Sequence, residues 1–126
     1  MGKDHSPRFL QIVQDAKSRI SELDPDGLRD RLEENPDLLL IDVREESEFE
    51  ESHVRGARHL SKGVLERDIE EEVPDTEREL VLYCGGGYRS ALAADNLRRM
   101  GYRNVHSLDG GFRALRADDY FTIDSP

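Results

Sequence analysis

Two runs of apolar residues interrupt an otherwise mixed chain, LLLIDV at 38–43 and ELVLYC at 79–84. Unbroken apolar stretches of this length, flanked by polar residues, predict strands buried on both faces of a parallel sheet. NVHSL at 104–108 is a third strand, ARHL at 57–60 a shorter one, and residues 20–23 a short edge strand. The intervening segments have helical spacing. Over 7–20, Leu10, Val13, Lys17 and Ile20 share a face with Phe9, Ile12 and Ala16 alongside, and Ser6-Pro7 supplies a cap and first turn. Asp24-Pro25 opens a second helix with Leu28 and Leu32 on one face, stopped by Asn35-Pro36. Residues 45–53 form an acidic helical turn anchored by Phe49 and broken at Gly56-Ala57. Residues 64–73 carry Val64, Leu65, Ile69 and Val73 at mixed helical spacing, and Pro74-Asp75 ends that helix. Another over 90–100 presents Ala91, Leu92, Ala94, Leu97 and Met100, with Gly101 as its C-terminal stop. Asp109-Gly110-Gly111 turns the chain into a last short helix near 112–117, and 118–126 reads as a loose tail. Strands alternating with helices predict an α/β fold, a three-layer sandwich with a central parallel sheet flanked by helices.

Composition narrows the function. A chain of 126 residues accommodates one domain, and 37% charged against 36% hydrophobic residues puts a dense charge layer on its surface. Its net charge of -10 argues against nucleic acid and against docking on an anionic membrane. No apolar run approaches the ~20 residues of a membrane-crossing helix, and FLQIV at 9–13 is too short for the core of a signal peptide. The single cysteine makes no internal disulfide and no multi-cysteine metal site, which points to a cytoplasmic setting. Of 18 basic residues 15 are arginine and 3 lysine. An acid-rich, lysine-poor surface suits a high-salt, halophilic interior; an ordinary acidic protein fits the same pattern, and stability at low and molar KCl separates the two.

The candidate chemistry sits at one strand end. In an open α/β sheet, ligands bind beyond the carboxyl ends of the strands. Cys84 ends its strand, Gly85-Gly86-Gly87 follow, and Tyr88, Arg89 and Ser90 begin a helix. Three glycines allow successive N–H groups to curl around one point, and the helix start adds unpaired N–H groups and its positive dipole end. A sulfur at the centre of that bowl is expected to be a thiolate, with Arg89 a cation at the rim and Ser90 a hydroxyl donor. Taken alone, Cys84 reads first as a small buried hydrophobe; its combination with three glycines, Arg89 and Ser90 at a helix start is what points to function. The acidic stretches 45–51 and 66–72 read as solvated faces, and His5, His106 and the acids lack metal-ligand spacing.

Three segments resemble the rhodanese-like sulfurtransferases: LLLIDVREESEFEESHVRGARHL at 38–60, CGGGYRS at 84–90 and LDGGF at 108–112. The resemblance spans roughly 20–117, leaving 1–19 as an N-terminal helical extension and 118–126 as a tail. It implies a transferase in which Cys84 takes the outer sulfur of a small donor, becomes a persulfide, and passes that sulfur to cyanide, a thiol or a protein acceptor. Gly85, Gly86, Gly87, Tyr88, Arg89 and Ser90 would then form the substrate cradle. Asp42, Arg44 and His53 would stand behind it, with Asp42 bonding backbone near the loop and His53 holding the turn before Gly56. His59 and Lys62 are candidates for the mouth. No cofactor is implied, and the oligomeric state is left open. The chain departs from the family pattern at Ser52, at Val54-Arg55, at Phe112 and at Gly85, the position after the cysteine, so the donor is open between thiosulfate and related sulfur compounds. Two other readings remain: a non-catalytic or sulfur-relay binding module docked through the first helix, and a phosphatase or arsenate reductase. The latter is disfavoured because the loop from Gly85 to Tyr88 is one residue shorter than those enzymes use.

Overall fold

The computed structural model describes residues 5–126, so the first four residues of the expected 1–19 extension lie outside it. Its main sheet contains β1 (Ser21–Leu23), β2 (Leu39–Asp42), β4 (Arg58–His59), β5 (Leu80–Tyr83) and β6 (Val105–Leu108) in the order β1-β6-β5-β2-β4. Every pairing within it is parallel. The two apolar runs form β2 and β5 at its centre, paired Leu39 to Leu80 through Asp42 to Tyr83. Both are buried along their whole length because alternate residues serve opposite cores. Leu39, Ile41, Leu80 and Leu82 face α4 (Lys62–Glu72) and α5 (Tyr88–Arg99), while Leu40, Val81 and Tyr83 face α2 (Pro25–Glu34) and α6 (Gly111–Arg116). The expected three-layer sandwich is therefore present.

The first helix, α1 (Pro7–Lys17), is an integral layer. It buries Val13 and Ala16 and packs on α5, and just beyond its end Arg19 bonds the buried Asp95 carboxylate of α5 at 2.9 and 3.2 Å. Its start rests on Pro7, since the Ser6 side chain makes no capping bond. α2 opens at Asp24-Pro25 as expected, and the Asp24 carboxylate caps it by accepting from the Gly27 N–H at 2.8 Å.

Two expectations need correction. The tail is not loose: β7 (Ile123–Asp124) pairs antiparallel with β3 (His53–Val54), Arg55 bridges to Asp124 at 2.8 Å, and Phe121 and Ile123 pack on the α2/α6 core. Two apolar side chains and a short ladder outweigh the polar character that suggested disorder. On α5 the buried apolar residues are Ala91, Ala93, Ala94 and Leu97, whereas Leu92 is half-buried and Met100 exposed. The buried face is made of small residues, which lets α5 approach the sheet closely. Among the described residues no helix is long and apolar enough to cross a membrane.

Candidate active site

Strand β5 ends at Tyr83 and delivers Cys84 to the carboxyl edge of the sheet, only 1% exposed. The next turn folds back over its sulfur. The Gly87 N–H donates to Sγ at 3.1 Å and the Ser90 N–H at 3.3 Å. Ser90 Oγ lies 3.5 Å from Sγ and 2.8 Å from Ser107 Oγ. Gly87 is the residue that permits this return. Its φ is +102°, and a Cβ there would stand 3.2 Å from the Leu108 carbonyl oxygen and 3.3 Å from the Gly110 nitrogen. α5 begins directly after it, so its positive end faces the sulfur. Among the described residues, the N–H groups of Gly85, Gly86, Tyr88 and Arg89 donate to no protein atom. Two amides are therefore directed at the sulfur, and four neighbouring ones have no protein partner among the described residues.

The closing Gly-Gly-Phe segment clamps this loop from behind. The Phe112 N–H donates to the Cys84 carbonyl at 2.6 Å and the Arg113 N–H to the Gly85 carbonyl at 3.2 Å. With those carbonyls held by the first turn of α6, the loop peptides are fixed in orientation. The approach is close enough that Gly111 (φ +56°) has no room for a side chain: a Cβ would lie 2.7 Å from the carbonyl carbon and oxygen of Gly85.

Asp42 and Arg44 act on this clamp from one step further away. Asp42 is fully buried, and its carboxylate accepts from the Arg44 backbone N–H at 2.9 Å and from the Arg44 guanidinium at 2.7 to 3.1 Å. The expected bond from Asp42 to backbone near the active loop is not made; the carboxylate is taken up by Arg44. That guanidinium also donates to the Ser52 carbonyl at 2.7 Å and lies 4.1 Å from the Phe112 ring centre, so the pair sets Phe112 and through it the clamp. Burial and the neighbouring Asp42 charge push the Tyr83 phenol well above its usual range, and its oxygen accepts from the Val54 N–H at 3.2 Å. His53 stacks on Phe49 with ring centres 3.8 Å apart and donates from Nδ1 to the Phe49 carbonyl, a structural role as expected. His59 stacks on the same ring and donates to the Arg44 carbonyl; neither it nor Lys62 borders the cleft.

Above Cys84 opens a cleft of about 410 Å³. Glycines 85 and 86, Tyr88 and Arg89 line it as expected, but Arg89 does not present a free charge. Its guanidinium pairs with Glu48 at 2.9 and 3.3 Å, and the same Glu48 oxygen accepts from the Glu45 N–H at 3.0 Å. Arg89 holds the Glu48 carboxyl below its ordinary range. The loop is thereby tied to α3 (Glu46–Glu51), the acidic turn of the first motif. Sequence reasoning missed Glu48, Ser107 and Arg113, along with the contribution of the N-terminal segment: His5, just before α1, and Phe9 on it reach the cleft and pack on Tyr88, with His5–Tyr88 ring centres 4.6 Å apart. Glu48 stands inside the first quoted motif and Arg113 directly after the third, whereas nothing in the sequence ties residue 9 to residue 88.

Comparison with known proteins gives a consistent picture. The thiosulfate sulfurtransferase GlpE of Coxiella burnetii is 36% identical over 81 residues, which is 64% of this chain and 74% of that protein. The polysulfide-sulfur transferase homodimer of Wolinella succinogenes superposes with a TM-score of 0.72 at 32% identity, covering 87% of this chain and 82% of that one. The rhodanese-like domain of Anabaena protein Alr3790 superposes with a TM-score of 0.74 at 26% identity, covering 83% and 79%. A family model described as the rhodanese-like domain matches residues 24–118. With this match, and a parallel five-stranded sheet flanked by helices, the chain belongs to the rhodanese-like domain family.

Proposed function

We propose that this protein is a sulfurtransferase in which Cys84 carries a sulfane sulfur from a donor to an external nucleophile. The observation that carries this reading is the convergence of the Gly87 and Ser90 N–H groups on Cys84 Sγ. Donors aimed at sulfur favour negative charge on it, and a thiolate is the attacking form. Cys84 attacks the outer sulfur of the donor; that sulfur's bond to the rest of the donor breaks, and the electron pair leaves with the donor remnant. The amides of Gly85, Gly86, Tyr88 and Arg89 then stand ready for the charge on the added sulfur. Cys84 is the chain's single cysteine, so the persulfide is discharged by an acceptor from outside, a small thiol, a protein thiol or cyanide. The four-residue span from Gly85 to Tyr88 favours this small anion over a tetrahedral phosphate. The burial of α1 against α5 favours a role in the site over that of a free docking arm for a relay module.

Incubation with thiosulfate or an organic persulfide, followed by intact mass measurement, is expected to add one sulfur atom at Cys84. The variant Cys84→Ser is expected to gain none and to lose transfer to cyanide at least a thousandfold, with its melting temperature little changed. Transfer at the wild-type rate by Cys84→Ser would overturn the proposal.

A further inference from the structure

Behind Cys84 a pair of hydroxyls sits among apolar side chains. The side chains of β6 alternate across the sheet. Val105 packs on the α4/α5 core and Leu108 on the α2/α6 core, so Ser107 shares the face of Val105 and meets α5. Register pairs Ser107 with Leu82, and Cys84, two residues further along the neighbouring strand, lies on the same face. Ser107 is fully buried, and so is Ser90 in the first turn of α5. A buried hydroxyl needs an acceptor for its one proton. Among the described residues, Ser107 Oγ meets only Ser90 Oγ, at 2.8 Å, and Ser90 Oγ meets only Ser107 Oγ and Cys84 Sγ, the latter at 3.5 Å. The three atoms form a chain without a side branch.

One arrangement of the two hydroxyl protons leaves neither over. If Ser90 donates to Ser107, the Ser107 proton has no acceptor and the sulfur loses a donor. If Ser107 donates to Ser90, the Ser90 proton points to Sγ and both protons are used. The second arrangement requires the sulfur to accept, which a thiolate does better than a thiol. We infer that Ser107 is a positioning residue: it donates to Ser90 Oγ and so turns the Ser90 proton onto Cys84 Sγ. The inference rests on the reading of Cys84 as the transferring nucleophile. The sulfur then accepts three bonds, from the Gly87 N–H at 3.1 Å, the Ser90 N–H at 3.3 Å and the Ser90 hydroxyl at 3.5 Å. A hydroxyl that accepts one bond donates the next more strongly. The charged and titratable groups of the cleft, His5, Glu48, Tyr88, Arg89 and Arg113, make no bond to either hydroxyl. Neither does the Asp42–Arg44 pair at the end of β2, nor His106 of β6, which bonds Ser21 and Glu79.

The test follows the ultraviolet absorbance of the thiolate across pH. Cys84 is the chain's single cysteine, so the signal belongs to it, with Cys84→Ser as the blank for tyrosine. Ser90→Ala removes the third donor and is expected to raise the midpoint by about one pH unit. Ser107→Ala is expected to raise it by about half a unit, because Ser90 Oγ is then free to accept from the thiol. In the double variant the midpoint is expected to match that of Ser90→Ala alone, since Ser107 acts through Ser90. Ser107→Thr, which keeps a hydroxyl on the strand, is expected to titrate as the wild type does. A midpoint unmoved by Ser107→Ala, or moved as far again in the Ser90→Ala background, would overturn the inference. So would a Ser107→Thr variant shifted as far as Ser107→Ala. These readings use no sulfur donor and are separate from the loading experiment. Failure of the wild type to load sulfur from thiosulfate or an organic persulfide would overturn the sulfurtransferase reading itself.

Discussion

Glu79 is a buried electrostatic joint between the sheet and α2, and its contribution can be worked out. It immediately precedes β5 with its side chain 1% exposed, and it accepts two bonds from Arg31 of α2 at 2.8 Å, one from Asn35 at 3.1 Å and one from His106 of β6 at 3.0 Å. Arg31 foremost, with Asn35 and His106, lowers the Glu79 carboxyl from 4.5 to about 2 against the opposing effect of burial. At ~1.4 kcal/mol per unit this corresponds to about 3 kcal/mol of folding stability at neutral pH. The folded value lies below the unfolded one, so the contribution is full above pH 5, falls to about 1.5 kcal/mol at pH 3, and vanishes below 2. Glu79→Gln keeps the shape and removes the charge. By urea unfolding at pH 7 the variant is expected to be less stable by about 3 kcal/mol, with a melting temperature lower by about 10 °C. The gap should narrow to about half at pH 3, where Glu79 of the unfolded chain is already protonated while that of the folded protein still holds its charge. A gap of equal size at both pH values would show that shape, not charge, is being measured and would refute the reasoning.

Two further outcomes follow from the packing. Gly111→Ala drives a Cβ into the Cys84 and Gly85 carbonyl groups at a positive φ, so it should cost about 1–3 kcal/mol and reduce sulfur loading of Cys84 at least tenfold; normal loading at an unchanged melting temperature would show that α6 does not set the loop. Removing residues 121–126 strips the β3–β7 pairing, the Arg55–Asp124 bridge and the packing of Phe121 and Ile123, so thermal unfolding should show a loss of about 2 kcal/mol, where a loose tail would lose nothing.

Much of the fold was legible because its signals are local. Leu38–Val43 and Leu80–Tyr83 have to be covered on both sides whatever surrounds them, since alternate side chains of a strand point to opposite faces. The Cys-Gly-Gly-Gly turn announces its chemistry because only glycine adopts the positive φ seen at Gly87, and the helix start that follows is a fixed source of unpaired N–H groups. What the chain alone left undecided depends on residues distant in sequence meeting in space. The charge on Arg89 is paired with Glu48, 41 positions earlier, whereas Arg113 of the same cleft has no carboxylate partner among the described residues. Asp42 serves Arg44, and Arg44 serves Phe112, so a motif that looked adjacent to the loop acts through the segment that closes it. α1 becomes a wall of the site and the last residues become a strand because each found an apolar surface already built by the sheet and its helices. Periodicity shows that a segment has an apolar face; only the packed molecule determines which surface that face covers.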